Sequence, residues 1–195
     1  MSSKFSTAET SVLWDIEGCP VPNGLCPDLI SKNIKSALEN MGYIGEVSIT
    51  VYYDTNLNPD DFESAGIKLV RTSAIDRYAR GSEISSDVFD WAPSRNPSNW
   101  MVILRDCSES DDVVETICDL KSPKENVLLG LAQPQKASRK LLGKASSVWL
   151  WTSLSAGGSP IKDQSGRSSQ QRLDDNTSVY GGSSSQRATT PNQQE

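Results

Sequence analysis

The chain contains no histidine, and that absence removes more chemistry than any other feature of its 195 residues. Ser-His-Asp and Cys-His catalysis both need an imidazole to move the proton, so both are excluded. The cysteines Cys19, Cys26, Cys107 and Cys118 lack CxxC spacing. All-cysteine zinc sites draw their ligands from close pairs, so structural zinc is not expected. Free thiols in a reducing, intracellular and cytoplasmic setting are the simplest reading. No run of about 18 apolar residues exists, so no membrane span is expected. The opening MSSKFSTAET has no apolar core of a secretory signal. Net positive charge is also missing: at −6, with a pI near 4.8, no overall basic field draws the chain to nucleic acid or membrane. Any acid–base or metal chemistry therefore falls to carboxylates, lysines, tyrosines or cysteines.

What is present is a regular alternation of strand and helix signals. Ser11–Ile16 is an apolar run that does not alternate, as expected of a strand buried on both faces. It leads into Asp15 and Glu17, and then Gly18, Cys19, Pro20 and Pro22 stop any regular element. From Asp28, apolar residues at Ile30, Ile34, Ala37, Leu38 and Met41 predict a helix, with Gly42 where a C-cap belongs. Val47–Tyr53 reads as a second strand ending on Asp54, and Asn58-Pro59-Asp60-Asp61 opens a short helix that Gly66 closes. Ile67–Val70 is a third strand, Arg71–Ser82 a loop, and Glu83–Trp91 a helix. Trp100–Leu104 is the fourth strand, followed by a capping box at Ser108–Asp111 with a helix behind it. Asn126–Leu131 and Ser147–Trp151 read as strands five and six, with a short helix at Ser138–Ala145 between them. Such alternation predicts an α/β fold, a three-layer α/β/α sandwich around a mostly parallel central sheet. The expected organisation is a flexible N-terminus over 1–10, one domain over 11–154, and a disordered Ser/Gly/Gln-rich tail over 155–195. Charges in that tail cancel, so the net −6 sits on the folded part.

In a doubly wound sheet the first and fourth strands lie side by side at the switch point, where ligands bind beyond the carboxyl ends. Asp15 ends the first strand and Asp106 the fourth, so both face one cleft, and Asp87 on the preceding helix completes a triangle. Carboxylates gathered without histidine suit Mg2+ or Mn2+, hard cations that prefer oxygen. The same acids equally suit solvent-exposed helix caps and strand ends, and their spacing alone does not choose between the two. A nucleotide-binding Rossmann protein is a poorer reading, because no glycine-rich phosphate loop follows the first strand.

The segment Val12-Leu13-Trp14-Asp15-Ile16-Glu17-Gly18-Cys19-Pro20-Val21-Pro22 resembles the WDIENCPVP opening of NYN-domain proteins. Further matches are Gly66-Ile67, the run Ala132–Ser138, and Val148-Trp149-Leu150-Trp151. The nearest branch by resemblance is the meiosis regulator and mRNA stability factor family. The likeness covers roughly residues 10–160. It implies a PIN-like fold, RNA as substrate, divalent-metal hydrolysis, control of gene expression and an association with peroxisomes. Residue by residue, Asp15, Asp87 and Asp106 match the family's acids, in the catalytic and metal-holding roles. Other positions depart from the pattern: the motif ISGDRDF places a second aspartate at Ser108 and a glycine at Arg105, and Gly18 stands where the family has asparagine. Glu17, Glu83, Glu109 or Asp111 are candidate auxiliary acids.

Arg71, Arg77 and Arg80, with Tyr78, are candidate RNA contacts through phosphate pairing and stacking, and a solvated loop explains them as well. Two functional readings follow. One is a metal-dependent RNA endonuclease. The other is a catalytically degraded NYN domain that binds RNA or a protein partner without cutting, which Ser108 and Arg105 favour.

Overall fold

The computed structural model describes residues 3–54, 56–72, 81–87, 97–104, 115–116, 128–131, 142–143 and 145–163. Strand β1 (Thr10–Asp15) lies in the middle of a sheet, with β2 (Val47–Tyr53) on one side and β4 (Asn99–Ile103) on the other. Strand β3 (Ile67–Arg71) extends the sheet beyond β2. Strands β5 (Leu128–Leu131), β6 (Ser147–Val148) and β7 (Lys162–Asp163) extend it beyond β4. The order is β3-β2-β1-β4-β5-β6-β7, and every pairing is parallel except that of β6 with β7. This is the expected α/β sandwich, and β1 and β4 are neighbours as the switch-point argument requires.

The two faces of β1 are built differently. Val12, Trp14 and Ile16 join Ile49, Val51, Met101 and Ile103 in one apolar layer. Helix α2 (Pro27–Asn40) covers that layer with Ile30, Ile34, Ala37 and Leu38. Their helical spacing puts them on one stripe, and Pro27 starts the helix where a missing N–H costs nothing. Gly42 ends it at φ 88°, a left-handed conformation in which its N–H reaches the Glu39 carbonyl at 2.8 Å. Helix α3 (Pro59–Glu63) adds Phe62 to the same layer. On the opposite face Leu13, Tyr52, Trp100 and Val102 are buried, and the helix at residues 81–87 (α4) supplies buried Ile84.

Three sequence expectations need correction. Residues 3–10 are not loose: Ser3–Ser6 forms helix α1, and Phe5, Ala8 and Thr10 are buried. The reason is distant in sequence, because the Asn99 amide donates to the Phe5 and Ala8 carbonyls at 2.9 and 3.3 Å. Next, the sixth strand stops at Val148, and Trp151–Leu154 is helix α5. The turn brings the Trp151 ring to 4.9 Å from that of Trp14. Finally, order continues past Ser155: its carbonyl accepts the Asn33 amide at 2.7 Å, and Lys162–Asp163 pairs antiparallel with β6. The helix expected over Ser138–Ala145 falls largely outside the described residues, within which 142–143 are helical. No helix among the described residues is long and apolar enough to cross a membrane.

Candidate functional site

Asp15 is the last residue of β1, at the carboxyl edge of the sheet. Its backbone and side chain organise the turn that follows. Its Oδ1 accepts the Glu17 N–H at 3.2 Å, the local turn an aspartate favours. Its carbonyl accepts the Cys19 N–H at 2.9 Å. Two indoles then hold the loop from below. Trp14 Nε1 donates to the Cys19 carbonyl at 2.6 Å, and Trp151 Nε1 donates to the Pro20 carbonyl at 2.8 Å. The tryptophans stack at a tilt of 50°, a favoured arrangement for aromatic pairs. The motif Trp14-Asp15-Ile16-Glu17-Gly18-Cys19-Pro20 therefore has a physical sense: its aromatic residue anchors a loop whose acids stand at the sheet edge.

Glu17 reaches sideways from that loop. Its Oε1 accepts the Asp54 N–H at 3.4 Å, tying the end of β1 to the end of β2. Asp15 stands directly opposite Tyr52 in the parallel register, so their side chains share a face. Tyr52 is fully buried, and its hydroxyl donates to Asp87 Oδ2 at 2.6 Å. Burial first, then the hydrogen bond to Asp87 and the negative charges of Asp87 and Glu83, push this phenol well above its ordinary pKa. It remains a proton donor across the whole working pH range.

The Tyr52 hydroxyl thus ties Asp87 to β2, the strand that pairs with the one Asp15 ends. Glu83, one turn before Asp87 on α4, is close enough for its charge to act on the same phenol. Arg71 ends β3 at the same edge, exposed, opposite Tyr53. Asp106, Glu109, Arg77 and Arg80 lie outside the described residues, as do Arg105, Ser108 and Asp111. Among the described residues no three His, Cys, Asp or Glu side chains gather as a metal cluster. The donors present are of a kind that fits a hard cation: all are carboxylate oxygens, with no histidine in the chain. Cys19 is buried and Cys26 exposed, and neither is in a disulfide.

Tyr52 and Asp54 were not singled out as site residues by the sequence. The signal was present in the alternation of VSITVYY, but reading it needs the β1–β2 register, which pairs Asp15 with Tyr52 rather than with Tyr53.

Comparison with known proteins agrees with this architecture. A structure of a protein of unknown function from Vibrio parahaemolyticus matches with a TM-score of 0.52 at 14% identity, covering 77% of this chain and 96% of that one. At such low identity the likeness concerns the fold alone. No curated protein matches. The sequence profile of the NYN domain matches residues 9–149. The chain therefore belongs to the NYN-domain family of PIN-like nucleases.

Proposed function

We propose that this NYN protein is a divalent-metal-dependent endoribonuclease, with Asp15, Asp87 and Asp106 holding Mg2+ or Mn2+. The supporting observation is the register of β1 with β2: Asp15 lies beside Tyr52, and Tyr52 is bonded to Asp87. That bond ties an acid of α4 to the strand beside the one Asp15 ends, and Asp15 itself stands at the carboxyl edge, where α/β sheets bind ligands. A cation held there would supply Lewis acidity and positive charge against the phosphodiester. The chain's own residues do the remainder. Asp15 and Asp87 bind and orient, Glu17 fixes the loop against the end of β2, and Arg71 offers a cation to a neighbouring phosphate. Arg77 and Arg80 extend that contact in this reading. Glu83 and Glu109 are the auxiliary acids, and RNA is the substrate.

A second reading has its own support in the sequence. Ser108 and Arg105 depart from the family's acidic motif, and an arginine next to Asp106 in sequence would supply a charge that a metal would otherwise bring. The domain would then bind RNA or a protein without cutting. The finer assignments also belong here as proposals: kinship with the meiosis regulator and mRNA stability factor branch, control of gene expression, and a cytoplasmic place with peroxisome association.

The test is cleavage of single-stranded RNA in Mn2+ or Mg2+ by wild type, Asp15→Asn and Asp106→Asn. Cutting that disappears in EDTA and in both variants supports the nuclease reading. Folded wild type that retains RNA without cutting it supports the second.

A further inference from the structure

We infer that Tyr52 is a positioning residue for the metal centre, its hydroxyl holding the Asp87 carboxylate in the orientation that a divalent cation requires. The inference rests on the proposed metal reading and adds to it a residue that neither the family's acids nor the sequence pattern points to. Its basis is one hydrogen bond and one strand register. Tyr52 is fully buried on β2, it is the register partner of Asp15 on β1, and it donates to Asp87 Oδ2 at 2.6 Å.

Position explains why such a residue is needed. Asp87 comes from α4, not from the sheet, so no ladder hydrogen bond fixes it relative to Asp15. Neighbouring strands lie about 4.8 Å apart, and a phenol rooted on the adjacent strand is a rigid spacer with two side-chain torsions. A tyrosine hydroxyl on a carboxylate makes a charge-assisted hydrogen bond, stronger than a neutral one. That bond engages one oxygen of Asp87 and leaves the carboxylate's other oxygen for a cation. Ligands of a metal are ordinarily oriented by such outer partners, and losing one costs about 10- to 100-fold in metal affinity.

The chain as it stands is titrated with Mn2+ alone, reading free Mn2+ by electron paramagnetic resonance. Wild type, Tyr52→Phe, Asp87→Asn and the double variant are compared, and their melts are followed by circular dichroism. Tyr52→Phe keeps the buried ring and removes only the hydroxyl. The expected result is a Mn2+ affinity about 10- to 100-fold weaker in Tyr52→Phe. Asp87→Asn should be weakened at least as much, and adding Tyr52→Phe to it should change nothing further. Val51→Ala, which loosens the opposite face, should bind Mn2+ as wild type does despite a lower melting temperature.

Wild-type affinity in Tyr52→Phe overturns the inference and leaves the metal reading standing. A loss that persists in the Asp87→Asn background also overturns it, because the hydroxyl would then act elsewhere. A wild type that binds no Mn2+ overturns the inference together with the reading beneath it.

Discussion

Trp14 and Asp15 are consecutive residues on one strand, yet they belong to two different structures. Trp14 points into an apolar layer with Phe62 and Trp151, at ring separations of 6.3 and 4.9 Å. Asp15 points the other way, into a layer where a buried phenol bonds a carboxylate. The first face stabilises by removing apolar area from water. The second carries carboxylates at the edge where the proposed metal site would lie. Alternation along a strand is what allows one short motif to serve both ends.

This comparison predicts that the two faces separate under mutation. Trp14→Ala should be the most damaging change, costing about 3–5 kcal/mol. It removes the anchor of the Asp15 loop as well as core volume, so chemical denaturation should show a much lower midpoint. Asn99→Ala should come next: the amide's partners are the Phe5 and Ala8 carbonyls and the Thr10 hydroxyl. Stranding such buried acceptors costs about 1–3 kcal/mol, and hydrogen exchange should reveal residues 3–10 loosening first.

Gly45→Ala tests a close approach on the same side of the molecule. A Cβ there would stand 2.0 Å from the Ala8 carbonyl oxygen, so the chain must shift, at about 1–3 kcal/mol by melting. Asp15→Asn, on the chemical face, should change the melting temperature little or raise it, while abolishing metal-dependent activity. Lys32→Ala should matter least. Lys32 bonds Asp28 at 2.7 Å on the exposed side of α2, and that bond and charge raise the lysine pKa. A raised lysine pKa adds stability that is fully present below its unfolded value, about 10.4, and is lost as pH rises through the folded value. Melts near neutral pH carry that benefit in full, yet exposure and salt screening make it too small to measure, so no change is expected there.

The elements legible in the sequence were those whose signals are local. Helix α2 follows from its apolar spacing, Pro27 and Gly42. Strand β2 was legible because a β-branched and aromatic run between turn residues has few other uses. Helix α3 announced itself through Asn58 and Pro59. Helix α1 was illegible because its order comes from Asn99, on β4. Trp151 was read as strand because Val148–Trp151 alternates in the way a strand would, and only the contact with Trp14 decides otherwise. Asp15's place at the carboxyl end of β1 was legible from the apolar run before it. Tyr52 was not, since its meaning depends on which residue of β2 lies opposite Asp15. Asp106 falls outside the described residues.

The most direct test of the division is to measure RNA cleavage and thermal melting on the same preparations of wild type and Asp15→Asn in Mn2+. The account predicts that the variant loses cleavage while its melting temperature stays at or above that of wild type. Cleavage retained by a well-folded Asp15→Asn, or a collapse of stability like that of Trp14→Ala, would contradict it.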